Sequence, residues 1–283
     1  MSAGALVSNV ADTARWVAQY RAIESARGDA LFRDHLAARL AGARGRAIVA
    51  AAPRTLRSGW SVVARTKLID DLVAQAVTEG CDCVVNLAAG LDTRPYRLPL
   101  PASLTWLEAD LPAVVREKER LLAGERASCT VVREEIDLAE PGARWAFLAR
   151  AVPPDLRQRT LVITEGLLGY LDDGIVRSLA HDLAARRGIR WWILDLLSPG
   201  ALATLKGTEG HLAASMMSFA PADGVAFFEA LGWRAVEVHS IVHAAARFRR
   251  APLRLRPLAW LPDPDPRRLG HSRWSGVVRL ARV

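Results

Sequence analysis

Hydrophobic positions fall along the chain in two alternating patterns. Short runs that are apolar at nearly every position appear at Val84, Val85, Leu87 and Ala88, at Leu104 to Leu107, at Cys129 to Arg133, at Thr160 to Thr164 and at Arg190 to Leu196. Runs of this length without alternation suit strands buried on both faces of a parallel sheet. Between them lie stretches with helical spacing, at Ala113 to Ala123, Gly142 to Ala151 and Asp172 to Arg187. Strand and helix thus alternate through at least five units, which predicts an α/β fold with a mostly parallel sheet and helices on both faces.

The flanking regions read differently. Residues 10 to 42 carry Val10, Trp16, Val17, Tyr20 and Ile23 near helical spacing, are interrupted at Gly28 and Asp29, and resume as a short helix to Gly42. They predict a helical cap ahead of the sheet. A further helix from about Val62 to Glu79 stops at Gly80, a common C-terminal signal. After Leu197 the alternation breaks. Ser198 to Ala220 holds Gly200, Gly207 and Gly210 with Met216, Met217 and Phe219, and is expected to be a helical insertion able to close over a site. A helix from Pro221 to Leu231 and strands at Arg234 to Ser240 and Ser275 to Arg282 are expected to complete the fold. Arg249 to Arg268 contains five prolines and reads as an irregular connection.

The chemistry gathers where the strands end. Gly90 follows the first strand, where a backbone turns sharply or lies against a ligand. Asp92 and Thr93 offer cap oxygens, with Pro95 in the next turn. The second strand ends at Glu108 and Asp110. A carboxylate about 20 residues beyond a glycine turn is where ribose hydroxyls are held, because its two oxygens can accept from a cis diol. Asp137 and Glu165 fall at the ends of the third and fourth strands, so one sheet edge receives a glycine and three acids.

Composition narrows the field. Fifty-one per cent hydrophobic residues suffice for a substantial core, and no apolar run approaches the 18 to 20 or so residues of a membrane span. The N-terminus has no basic start ahead of its apolar residues, so a secretory signal is not expected and a cytoplasmic location is. Cys81, Cys83 and Cys129 lack zinc-knuckle spacing; reduced structural thiols and no metal site are expected. The net charge of +8 would suit a nucleic-acid partner, but the arginines are dispersed and only Lys67, Lys118 and Lys206 accompany them, a weak case for such binding.

Several motifs together resemble a known family. VVNLAAGLDTRPYRL, WLEADLP with REKERLL following, and ITEGLLGYL are similar to the leucine carboxyl methyltransferase family. They resemble most its bacterial branch, which includes polyketide O-methyltransferases. The stretch VSNVADTARWVAQYRAIESARGDALFRDHLAARLAG resembles that branch's leader region and FAPADGVAFFEALGW its later segment, so the likeness spans nearly the whole chain.

The resemblance implies a Rossmann-like class I methyltransferase fold with a seven-stranded sheet and S-adenosyl-L-methionine as cofactor. It implies one domain: a cap over 1–60, a cofactor-binding core over 61–197, and a lid insertion with C-terminal strands over 198–283. By the same resemblance Arg65 would hold the methionine carboxylate, with Ala88 and Gly90 lining that end through the backbone. Asp110 would bind the ribose, Asp137 and Leu138 the adenine, and Glu165 would sit beneath the methionine moiety. Ala88 replaces the family's first glycine. Tyr170, in the loop after the fourth strand, is the candidate on the acceptor side, ahead of His211 and His243. The activity implied is O-methylation of a carboxylate or phenolic hydroxyl of a small molecule. A nucleic-acid methyltransferase, an NAD-dependent oxidoreductase (favoured by the Gly-to-Asp spacing, opposed by the absent GxGxxG) and a non-catalytic ligand-binding protein are the other readings.

Overall fold

The computed structural model describes residues 10–53, 57–153, 158–207 and 216–283. The leader before Val10 and His211 lie outside the described residues. Seven strands form one sheet: β1 (Cys83–Leu87), β2 (Thr105–Asp110), β3 (Thr130–Glu135), β4 (Thr160–Thr164), β5 (Ile189–Leu197), β6 (Trp233–Ser240) and β7 (Ser275–Arg282). Their order is β3-β2-β1-β4-β5-β7-β6. β1 to β5 pair in parallel, and β7 runs antiparallel to both β5 and β6. The chain reverses direction across the sheet at the β1/β4 junction, the place where open parallel sheets leave a crevice for ligands.

Burial follows position in the sheet. The central strands β1 and β4 are buried at every residue, whereas edge strand β3 alternates between exposed and half-buried positions. Successive side chains of β1 enter opposite layers. Val85 and Leu87 join Phe147, Leu148, Leu179 and Trp192 on one face; Val84 joins Leu68, Ile69, Leu72 and Trp106 on the other. The first layer is closed by α6 (Pro141–Ala151) and α7 (Asp173–Ala184), the second by α3 (Trp60–Thr78) and, after β6, α10 (Ile241–Arg247). α4 (Arg94–Arg97) and α5 (Pro112–Leu121) make the first two crossovers. Asp172 caps α7 by accepting the Ile175 amide at 2.8 Å.

The cap is α1 (Val10–Ser25) and α2 (Ala37–Ala51). α2 begins later than its spacing predicts and runs beyond Gly42, which kinks it at φ 58°. It continues because Ile48 and Val49 extend the buried stripe and because Gly45 lets the backbones meet: a Cβ there would stand 2.6 Å from the Arg15 carbonyl oxygen on α1.

Beyond β5, α8 (Pro199–Lys206) is the described helix of the expected insertion, and residues 216–220 are its described end, tied to the loop after β4 through Ser218 N to Gly169 O at 2.7 Å. The helix expected over Pro221 to Leu231 contracts to α9 (Ala226–Glu229), since residues 221–225 form turns tied to the 265–270 loop through Val225 N to Pro266 O at 2.9 Å and Gly270 N to Ala222 O at 2.8 Å. Arg249 to Arg268 is irregular apart from 3-10 turns over Leu253–Trp260.

Candidate active site

The turn after β1 builds the first half of the site. Ala88 donates its amide to Ala109 O at 2.8 Å and then adopts φ 53°, followed by Gly90 at φ 48°. Both lie in the left-handed region, free for glycine but costing an alanine on the order of 1–2 kcal/mol. The methyl of Ala88 thus strains the turn without blocking it. The Gly90 amide donates to Asp110 Oδ2 at 2.6 Å and the Leu111 amide to Oδ1 at 2.7 Å. These bonds fix the carboxylate at the tip of β2 and leave each oxygen a further lone pair. Burial raises the Asp110 pKa, against the two amides and Lys118, which favour the charged form.

The second half is an ion network at the ends of β4 and β5. Arg65, in the first turns of α3, donates from Nε to Glu165 Oε1 at 3.0 Å and from Nη1 to Asp195 Oδ2 at 2.8 Å. The other Asp195 oxygen accepts the Gly166 amide at 2.7 Å. Glu165 is bridged on its far side by Arg94, whose Nη1 reaches Oε2 at 2.8 Å. Arg94 also binds Asp70 at 2.8 Å and Asp92 at 2.7 Å. Asp92 accepts from Asn86 in β1 at 2.8 Å, and Asp70 takes a two-pronged grip from Arg97 at 2.7 Å on each side. The chain of charges reaches the cap: Asp34 accepts from Thr93 at 2.6 Å and from Arg21 at 2.8 Å, and Arg21 also donates to Leu91 O at 2.6 Å.

Burial alone would make these carboxyls reluctant to ionise; the arginines reverse that. For Glu165 burial is outweighed by Arg94 and Arg65, for Asp34 by Arg21 and Thr93, and Asp92 is held well below the usual carboxylate range by Arg94, Lys118 and Arg97. Arg21, Arg65, Arg94 and Arg97 face Asp34, Asp70, Asp92, Glu165 and Asp195, so the set carries one negative charge in excess.

The structure thus brings Arg65, Glu165 and Tyr170 together at one end and Ala88, Gly90 and Asp110 at the other. Tyr170 lies on a 3-10 turn after β4, half-buried, with Thr13 of α1, Arg65 and Asp195 around its hydroxyl; burial raises its pKa. Asp137 and Leu138 follow β3 beside Asp110, whose carbonyl accepts the Ile136 amide at 2.8 Å. Asp137 is exposed and caps the Ala139 amide at 2.9 Å, whereas Leu138 is only 7% exposed, packed in the core. His243 lies away from this cluster, on α10, paired with Asp263 at 3.1 Å. Thr93 directs its hydroxyl to Asp34, so it caps no helix, and Asp92 instead accepts the Arg94 amide at 2.9 Å.

Sequence reasoning missed Asp195, Arg94 and Asp70. Asp195 has a signal: it is the one acid in the run WWILDLL, as Asn86 is the one polar residue in CVVNL. Among the described residues no group of three or more His, Cys, Asp or Glu is placed to hold a metal ion, and no helix is long and apolar enough to cross a membrane.

Comparison with known proteins agrees with this geometry. The sequence profile of the leucine carboxyl methyltransferase family matches residues 14–184. A protein of Frankia alni, provisionally named an S-adenosyl-L-methionine-dependent methyltransferase, is 36% identical over 258 residues, covering 86% of this chain and 88% of its own. One of Streptomyces coelicolor with the same provisional name is 34% identical over 274 residues, covering 91% and 92%. Among solved structures, a DUF574 family protein from Streptomyces avermitilis superposes with TM-score 0.59 at 14% identity, covering 96% of this chain and 97% of that one. A Thermobifida fusca protein described as a methyltransferase gives 0.57 at 14% identity, covering 98% and 96%. The structural likenesses bear on the fold alone, which is the Rossmann-like class I arrangement. With a family profile over residues 14–184 and relatives aligned along most of their length, the chain belongs to the leucine carboxyl methyltransferase family.

Proposed function

We propose that this protein is an S-adenosyl-L-methionine-dependent O-methyltransferase acting on a small molecule, with a carboxylate as the preferred acceptor. Family membership supports methyl transfer from that cofactor. The observation that carries the residue assignment is the Arg65–Glu165–Asp195 cluster beside the Gly90–Asp110 turn, on one sheet edge. The cofactor would supply an electrophilic methyl on sulfur. Its charges suit the residues present. Arg65 has Nε and Nη1 engaged, and among the described residues Nη2 takes no bond, leaving donors for a carboxylate. Asp110 would accept from the ribose, Ala88 and Gly90 would approach through their backbone, and Asp137 would receive the adenine amine. Leu138 would touch the ring only by its small exposed edge.

Tyr170 bears on the acceptor. A raised pKa keeps its hydroxyl protonated, so it serves as a hydrogen-bond donor that orients an acceptor oxygen, not as a base. A carboxylate needs orientation and exclusion of water but no proton removal, which favours it over a phenol. A polyketide-type acid is the acceptor class suggested by the resembling branch. The cap's contribution of Thr13 beside Tyr170 is in keeping with a small molecule enclosed between cap and sheet.

Calorimetric titration with S-adenosylmethionine and with its demethylated product tests the reading. Binding weakened by about 1–3 kcal/mol in Asp110→Ala, together with transfer of labelled methyl to aromatic or aliphatic acids, is expected. Failure of both ligands to bind folded protein would overturn it. Transfer to phenols but not acids would replace the acceptor assignment alone.

A further inference from the structure

The connection between β6 and β7 bears chemistry that methyl transfer does not use. Because β6 runs parallel to β5, α10 leaves the sheet at the same edge as the site. It leads into a loop bracketed by Pro252 and Pro262. On that loop Leu253 is 76% exposed, Trp260 87% and Leu261 58%. A side chain of this kind left in water forfeits the free energy of burial, so three together on nine residues mark a contact surface. Around them stand Arg247, Arg249, Arg254 and Arg256, all exposed, and among the described residues no carboxylate pairs with any of them. The nearby acids are occupied: Asp263 pairs with His243, and Asp265 accepts the Arg267 amide at 2.9 Å. Arg247, Arg249, Arg256, His243 and Trp260 line a hollow of about 570 Å³. Arg249 is held there at φ 58°, a strained conformation for a side-chain-bearing residue. The segment is anchored, not dangling: Arg250 donates to Glu24 at 2.8 Å and to the Asp29 carbonyl at 2.6 Å, at the foot of the cap.

We infer that this face docks on an anionic phospholipid surface. The exposed leucines and the indole lie on one short proline-bracketed segment beside the arginines, which suits insertion at the boundary of headgroups and acyl chains, where tryptophan settles. Three of the arginines line the same hollow as Trp260, and its volume is enough for a phosphate headgroup. Charge complementarity selects anionic over neutral lipid. This contact is peripheral and involves no spanning helix. It stands independently of the methyl acceptor.

Sedimentation of the full chain with vesicles of phosphatidylcholine, with and without phosphatidylglycerol, tests the inference. Binding only to the anionic vesicles, and falling with added salt, is expected. Each basic residue near such a surface is worth about fivefold in partition, so the combined Arg247→Gln, Arg249→Gln, Arg256→Gln variant should partition on the order of a hundredfold less. Trp260→Phe should retain binding but lose the vesicle-induced blue shift in tryptophan emission. All four positions are exposed, and melting curves verify that the variants fold. Equal binding to neutral vesicles, or none to either, overturns the inference. So does self-association in solution that Trp260→Ala abolishes, which would make the face a contact between copies, or binding to inorganic phosphate or polyglutamate without binding to vesicles.

Discussion

Arg65 and Asp195 are held 2.8 Å apart although 130 residues separate them in the chain. The pair joins the start of α3 to the end of β5 and turns the guanidinium toward the crevice. Asp195 simultaneously accepts the Gly166 amide, so one carboxylate orients both the arginine and the loop behind Glu165.

Asp195→Ala is therefore expected to act twice. It leaves the Gly166 amide without its acceptor and costs about 1–3 kcal/mol of stability, read as a shift in urea midpoint. It also frees Arg65 to rotate, and calorimetry should show S-adenosylmethionine binding at least about tenfold weaker. Arg65→Lys should not restore binding, because an ammonium cannot reach Glu165, Asp195 and a ligand in one plane.

Ala88→Gly should stabilise the fold. Relief of the positive φ at residue 88 outweighs the added freedom of the unfolded chain, giving a gain of up to about 1 kcal/mol. Equilibrium denaturation measures it; a loss of stability would show that the methyl packs favourably enough to offset the strain.

The ion network sets the acid limit of the fold. Asp34, Asp92 and Glu165 have pKa values below their unfolded ones, after the arginines overcome burial. The unfolded chain therefore takes up more protons in acid. The stability these groups confer is complete above about pH 5 and is lost as pH falls through about 4 toward their folded values. Asp110, shifted upward by burial, works in the opposite sense and softens the dependence. Urea midpoints measured between pH 7 and pH 3, or thereabouts, should trace this fall, and Asp34→Asn should flatten it while leaving Arg21 without its counter-ion.

The thiols should be inert. Burial pushes Cys81 up to about 12, and Cys83 and Cys129 up to about 11, so little nucleophilic thiolate exists at neutral pH. A chromogenic thiol reagent at pH 8 or so should report no rapidly reacting group in the native protein and three after unfolding.

The parallel core was legible because its strands are apolar at every position, as Val84 to Leu87 and Leu161 to Ile163 illustrate, and Gly90 and Asp110 were legible because each ends such a run. The network was not. Asp70 and Arg94 sit on helices where a charge ordinarily faces water, and nothing in their local spacing separates them from solvated neighbours such as Lys67 and Asp71, which pair on the surface. Their burial is decided by partners 24 and 71 residues away. The extent of α2 was illegible for a related reason: Gly42 reads as a stop, and only the packing of Ile48 and Val49 carries the helix past it.

The place of β7 has a consequence for how the chain acquires its structure. Among the described residues β6 pairs with β7 alone, and β5 meets β6 only through it. Until Ser275–Arg282 has left the ribosome, β5 presents an open edge and β6 has no hydrogen-bonded neighbour. Closure joins Trp191 to Ala281 and Trp233 to Arg282, contacts of long sequence separation that are slow to form. Synthesis thus leaves the open edge of apolar β5 and the unpaired strand β6 waiting on β7, and a chain halted before Ser275 would carry both as sites for aggregation.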